Sequence, residues 1–174
     1  MNRVYLAGPM TGLTYLEASV WRNWTSRRLA EFDIGCFNPF RGIPESEFDN
    51  SPTGDKTAKN IFATQRGIVS RDFADVIRSD VVLANLRGAR KHTIGTCFEM
   101  AWAYLARIPL VVVMEEDGSV FDHPFVREAA NWIVRDLETA VEVICSLTCK
   151  EYSKENKAWK NMSSIPSLNG PKSA

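Results

Sequence analysis

Glu99 stands alone among apolar neighbours. Phe98, Met100, Ala101, Trp102 and Ala103 flank it in the run FEMAWA. A carboxylate in such a place is neutralised, paired or used, because burying an unpaired charge is costly. A second acid, Asp72, falls on the preceding predicted helix, one strand away in the chain. Two carboxylates with separated roles are what a retaining displacement at an anomeric carbon requires. One attacks and forms a covalent glycosyl ester; the other hydrogen-bonds or protonates the leaving group. Glu99 follows Gly95-Thr96 at the start of its helix, where the N-terminus favours an ionised carboxylate by roughly 0.3–1 kcal/mol. That suits a nucleophile better than a proton donor. Tyr5, on the first strand, is the residue expected to donate its hydroxyl to Glu99 and hold its rotamer. Taken singly, each has a plainer reading: Glu99 as a solvated acid, Asp72 as a surface ion pair with Arg71, Tyr5 as core.

These side chains need a scaffold, and the sequence spells one out. Residues 3–7 (RVYLA) read as a strand that stops at Gly8-Pro9, a turn signal. Residues 15–32 carry Leu16, Val20, Trp21, Trp24, Leu29 and Phe32 at helical spacing, with both tryptophans read as core packing. Residues 34–37 make a second short strand, closed by Asn38-Pro39. Residues 40–64 are rich in Pro, Gly, Ser, Asp and Asn, and so long a loop is usually a lid or a binding segment. Its charges Arg41, Glu45, Glu47, Asp49 and Asp55 read individually as solvated. Residues 65–78 return to helical spacing, with Ile68, Val69, Phe73, Val76 and Ile77 as the apolar stripe.

The runs VVLA at 81–84 and PLVVVM at 109–114 are continuous and apolar, as in strands covered on both faces. A helix begins at Ile94 or Gly95, a short helix or turn spans 125–132, a last short strand 132–134, and an amphipathic helix 137–147. The order β-α-β-loop-α-β-α-β-α predicts a single α/β domain over residues 1–149, a parallel sheet with helices on both sides. Ligands in such folds bind at the carboxyl ends of the strands. The loops expected there are 8–12, 38 onward, 85–93 and 115–122. Residues 150–174 are polar and Ser/Asn/Gly/Pro-rich, an extension expected to be disordered or to dock on a neighbour.

Composition narrows the classes further. The 174 residues are 45% hydrophobic and carry 21 basic and 21 acidic side chains, so bulk electrostatics give no hold on nucleic acid. Cys36, Cys97, Cys145 and Cys149 form no C-x-x-C pair, and His92 and His123 are the only histidines, which argues against a zinc site. No signal-peptide pattern opens the sequence, so the cysteines are expected to be reduced and mostly buried in a cytoplasmic protein without a membrane span. Neither a phosphate loop, nor G-x-G-x-x-G after the first strand, nor G-x-S-x-G is present. Asp80 opens its strand, where a phosphoacceptor would close it. No cofactor is implied.

Four blocks resemble the nucleoside 2-deoxyribosyltransferase family: VYLAGPMTG at 4–12, RD at 71–72, SDVVLANL at 79–86 and IGTCFEMAWA at 94–103. The resemblance implies a flavodoxin-like, Rossmann-like fold with a cleft for a deoxyribose. It makes Glu99 the nucleophile on the anomeric carbon, Asp72 the acid at the departing base, and Tyr5 the residue that orients Glu99. Gly8, Pro9, Met10, Thr11 and Gly12 would line the sugar, with Asn85, Thr93 and Gly95 as further substrate contacts. Family members are commonly homo-oligomers whose sites borrow a residue from a neighbour, and Asn131 is the candidate donor. The partners implied are a nucleoside or nucleotide and a free nucleobase.

One position departs from the pattern. Many transferases carry an Asp six residues before the nucleophile, where this chain has Thr93. A hydroxyl there is similar to the related 2′-deoxynucleoside 5′-phosphate N-hydrolases. Arg90, Lys91 and His92 beside it would complete a small anion site or form a solvated loop. Against that, phosphate-binding members carry serine where Pro9 stands. Transfer to a second base, hydrolysis of a 5′-monophosphate, and a nucleotide-binding module without turnover all remain open at this level.

Overall fold

Along a strand, successive side chains point to opposite faces of the sheet, and here both faces are apolar. The computed structural model describes residues 1–41, Glu45 and 64–149. Within it, β1 (Arg3–Ala7), β2 (Gly35–Phe37), β3 (Val81–Asn85), β4 (Leu110–Val113) and β5 (Trp132–Val134) form one parallel sheet in the order β2-β1-β3-β4-β5. Val4, Leu6, Val81, Leu83, Val111 and Val113 face α1 (Tyr15–Ala30) and α5 (Leu137–Thr148). Tyr5, Ala7, Val82, Ala84, Leu110 and Val112 face α2 (Gln65–Ile77) and α3 (Ile94–Leu105), with α4 (Pro124–Ala129) at the margin. Each fully buried Val or Leu contributes about 1.5–3 kcal/mol, so the alternation alone accounts for helices on both sides. This is the flavodoxin-like order, with its switch point between β1 and β3.

The chain leaves β1 toward β2 and returns on the other side at β3, which opens a crevice at their carboxyl ends. The loop after β1 is fixed at its far end by a capping box. Thr14 N–H donates to Glu17 Oε2 at 2.7 Å, and Glu17 N–H donates to Thr14 Oγ1 at 3.2 Å. Within the loop, Leu13 N–H reaches Met10 O at 3.0 Å across Gly12, whose φ of 83° suits glycine.

The two helix faces next to this crevice differ from the apolar stripes expected for them. On α1 the buried side chains are Ala18, Ser19, Arg22, Thr25, Arg28 and Leu29, while Leu16 is 67% exposed. Trp21 and Trp24 are half-buried against the core. On α2 the buried residues are Arg71, Asp72, Asp75 and Val76, and Val69, Phe73 and Ile77 are exposed. For Arg22 and Arg71 the physical reason is that carbonyls at the carboxyl edge of the sheet accept from them, Leu6 O and Gly8 O for Arg22 and Pro39 O and Arg41 O for Arg71. The cysteines also depart from expectation, since only Cys145 is buried and Cys97 is exposed on the outer face of α3. Most of the long loop (residues 42–44 and 46–63) and residues 150–174 lie outside the described residues, so the readings made there stay as expectations.

Among the described residues no helix is long and apolar enough to cross a membrane, and no group of three or more His, Cys, Asp or Glu side chains could hold a metal ion.

Candidate active site

Tyr5, Asp72 and Glu99 converge beside the crevice. Tyr5 belongs to the interior strand β1 and is wholly buried; its Oη donates to Glu99 Oε1 at 2.6 Å. Glu99 and Asp72 are each only 5% exposed. Asp72 is reached by the neighbouring side chain: Arg71 Nε and Nη2 both donate to Asp72 Oδ1, at 3.0 and 2.9 Å. Arg71 also donates to Pro39 O at 2.5 Å and Arg41 O at 3.3 Å, which ties α2 to the loop after β2. The surface ion pair weighed for Asp72 is thus a buried one. Asp75, one turn on, is fully buried and paired with Arg41 at 2.8 Å and with Arg78.

The electrostatics of this cluster are dominated by burial. Loss of water pushes the Glu99 carboxyl up to about 8; Asp72 pushes the same way, while the Tyr5 hydroxyl, Arg22 and Arg71 oppose it. Burial likewise pushes Asp72 up to about 6, against the pull of Arg71 and Arg22. Tyr5 is raised well above its ordinary value by burial and then by Glu99, so it stays a phenol and a donor. The helix N-terminus does not hold Glu99 ionised as expected. Glu99 is the sixth residue of α3, beyond the first turn where such a field acts, and desolvation outweighs it. Between about 6 and 8 the two buried carboxyls carry one charge and one proton; burial puts the charge on Asp72 and the proton on Glu99, so a Glu99 nucleophile requires that proton to pass to Asp72.

The remaining candidates fall into distinct places. Gly8 is buried where a Cβ would stand 2.9 Å from both Asn85 O and Trp21 Cζ2, so only glycine allows the loop after β1 to meet the end of β3. Pro9, Met10, Thr11 and Gly12 continue that loop along the crevice. Asn85 closes β3, and its Oδ1 accepts from Arg87 N at 3.3 Å, shaping its own loop. Thr93 caps the start of α3 and is buried; its Oγ1 donates to Thr96 Oγ1 at 2.8 Å. Gly95 is exposed, with open space where a side chain would begin.

Asn131 is elsewhere. Its Oδ1 accepts from Leu110 N at 2.8 Å and its own N–H donates to Leu110 O at 2.9 Å, which clamps the amino ends of β4 and β5, opposite the crevice. The basic trio separates. Lys91 Nζ lies 3.3 Å from where a Gly12 Cβ would stand, the His92 ring packs on Phe121 at 5.2 Å, and Arg90 acts on Glu17. Arg22 was not legible as a site residue: it is fully buried and its charge acts on Glu99, Tyr5 and Asp72.

The sequence model of the nucleoside 2-deoxyribosyltransferase family matches residues 4–157. The chain belongs to that family. It is accordingly an enzyme that works on the N-glycosidic bond of nucleosides, with small-molecule partners. No curated protein sequence matches it significantly. Solved structures share its fold. A conserved protein from Enterococcus faecalis V583 has TM-score 0.62 and 20% identity, covering 84% of this chain and 98% of that one. A 2-deoxyribosyltransferase from the psychrotolerant Bacillus psychrosaccharolyticus has TM-score 0.59 and 13% identity, over 87% and 99%. A CMP N-glycosidase from Clostridium botulinum has TM-score 0.52 and 13% identity, over 82% and 97%. At such identities the likeness speaks for the fold, and the family membership rests on the sequence model.

Proposed function

We propose that this enzyme cleaves the N-glycosidic bond of a 2′-deoxynucleoside through a Glu99 ester and passes the deoxyribosyl group to another nucleobase. The observation that carries the reading is the buried Tyr5–Glu99 hydrogen bond of 2.6 Å with a second buried acid, Asp72, near enough to act on both groups. Glu99 attacks C1′ as the carboxylate, in the form of the pair in which the single proton has passed from Glu99 to Asp72. The C1′–N bond breaks with its electron pair passing to the base, and the Asp72 carboxyl gives that base its proton. The negative charge moves from Glu99 to Asp72, and the dyad's total is unchanged. In the second half an acceptor base loses a proton to Asp72 as its nitrogen attacks C1′. The ester C–O bond breaks and returns the Glu99 carboxylate. Tyr5 keeps one carboxylate oxygen fixed, so the other is the attacking atom. Gly8 to Gly12 are assigned to the sugar side, with Asn85, Thr93 and Gly95 as further contacts.

The test is incubation with a deoxynucleoside and a second free base. A new nucleoside supports transfer, and free deoxyribose supports water as the acceptor. A preparation that releases neither base nor sugar from any deoxynucleoside or its monophosphate overturns the reading.

A second reading has its own observation. Lys91 places an ammonium over the Gly12 turn, and Thr93 lies two residues on, a setting that favours a 5′-phosphate and hydrolysis of the monophosphate. The structural likeness to a CMP N-glycosidase is compatible with it. Comparing a deoxynucleoside with its 5′-monophosphate, in the natural protein and in Lys91→Met, separates the two. A preference for the monophosphate that Lys91→Met removes supports the second reading.

We also propose a homo-oligomer. Val69, Phe73, Ile77, Ile94, Phe98 and Leu105 expose an apolar face on α2 and α3, directly behind Asp72 and Glu99. A second copy is the occupant that covers such a face while supporting both acids. Asn131 is the residue proposed to reach a neighbour. Sedimentation of the full chain tests the assembly, and a monomer at working concentration contradicts it.

A further inference from the structure

Arg22 is the largest fully buried side chain of the described residues, and nothing in the chemistry above uses it. It stands on α1, across β1 from the helices that carry the acids. Its three nitrogens are all committed to backbone carbonyls. Nε donates to Leu6 O at 3.2 Å, Nη1 to Ala18 O at 2.5 Å and Nη2 to Gly8 O at 2.7 Å. The guanidinium also lies over the Trp21 ring at 4.4 Å and within 5.3 Å of the Phe40 ring centre. Among the described residues no carboxylate lies within ion-pair distance of it.

A buried cation held only by carbonyls and rings is unusual, since buried charges are ordinarily paired. Its countercharge is at longer range. The groups facing Glu99 are Tyr5 from β1, Asp72 and Arg71 from α2, and Arg22 from α1, with Cys97 on its own helix feeling its charge. Arg71 is engaged directly with Asp72 by two hydrogen bonds. That leaves Arg22 as the cation not bound to either acid, and the fixed geometry of three bonds keeps it in place whichever acid carries the charge. Burial lowers its own ionisation to about 10, so it remains charged through the neutral range.

We infer that Arg22 is a positioning residue, a fixed cation that serves the carboxylate pair as the negative charge moves between Glu99 and Asp72, and that pins the Gly8 end of the substrate loop. The inference rests on the roles proposed for the two acids. Arg22 does not touch the reacting atoms; it acts through the field on Glu99 and through the Leu6 and Gly8 carbonyls. Gly8 sits 3.3 Å from Arg22 Nη2 at its would-be Cβ, so loop and cation are packed as one unit. A neutral residue here leaves Glu99 harder to ionise, because an opposite charge favours the carboxylate.

The test uses the full chain labelled with carboxyl-13C glutamate, with the Glu99 resonance identified by its loss in Glu99→Gln. The natural protein is compared with Arg22→Lys, which keeps the charge, and with Arg22→Met and Arg22→Gln, which remove it. The expected result is a Glu99 titration moved up in both neutral variants and held near the natural value in Arg22→Lys. A shift of the alkaline limb of kcat/KM to higher pH should accompany it. Unchanged Glu99 titration in a folded neutral variant overturns the inference, as does a shift in Arg22→Lys as large as in Arg22→Met. If both neutral variants fail to fold while Arg22→Lys folds and titrates normally, the need for charge at this place is supported. If all three fail to fold, the residue acts by packing and the inference falls. Because the titration needs no turnover, it stands apart from the deoxyribosyl reading, whose own failure appears as an inactive natural protein.

Discussion

Tyr5 Oη donates to Glu99 Oε1 at 2.6 Å across 94 residues of chain, and both side chains are buried. A charge-assisted hydrogen bond of this kind contributes about 1.5–3 kcal/mol. Its effect on Glu99 has a definite sign: the donor favours the carboxylate and holds the carboxyl below where burial alone would place it.

Tyr5→Phe removes that donor without removing the ring. Turnover near neutral pH is expected to fall by roughly ten- to a hundredfold, the range that the lost hydrogen bond spans. The alkaline limb should also move to higher pH, because Glu99 without its donor holds its proton longer. Steady-state kinetics of Tyr5→Phe across pH reads both. Unchanged kcat at all pH values would leave Tyr5 with a packing role only.

The pair of acids predicts a bell. With Asp72 near 6 and Glu99 near 8, the dyad holds one proton between those values. Below the window both carboxyls are protonated and no nucleophile exists; above it both are ionised and no acid remains. The profile of kcat/KM should rise with an apparent pKa near 6 and fall with one near 8. A profile flat from about pH 5 to 9 contradicts this pairing.

Stability carries the opposite sign from the usual carboxylate. Glu99 titrates at 4.5 when unperturbed and at about 8 in the folded chain, so the folded state binds the extra proton between those values. Stability from this group is therefore present at the acid end and is lost as pH rises through the window. Glu99→Gln stays neutral and escapes the loss. Its Tm should exceed that of the natural protein by roughly 5 °C at about pH 8.5, with the difference closing toward about pH 5. Thermal melts of both proteins at the two pH values decide it; an equal Tm difference at both contradicts a strained Glu99.

The fold was legible for a simple reason. VVLA at 81–84 and LVVV at 110–113 are apolar on both faces, which a parallel sheet covered by helices satisfies, and β1, β5 and the start of α3 fell where the turns and periodicity put them. The helix faces at the crevice were not legible. Counting apolar residues on α1 turned Leu16 inward and overlooked Arg22, whose signal is indirect: Ala18 one turn before it, and Gly8 opposite, leave room for a guanidinium. On α2 the same counting favoured Val69 and Phe73 over Arg71 and Asp72, because the partners of those charges, the Pro39 and Arg41 carbonyls, are distant in sequence. Glu99 was found by its neighbours, yet its raised ionisation came from burial that no local pattern states.

Covalent trapping tests the central claim most directly. The protein is mixed with a 2′-deoxynucleoside, quenched in acid and digested with trypsin. The peptide running from His92 to Arg107 contains Glu99 as its only carboxylate side chain. The predicted result is a mass gain of one deoxyribosyl residue on that peptide, absent in Glu99→Gln, which also loses turnover. An adduct on a different peptide, or normal turnover in Glu99→Gln, contradicts the account.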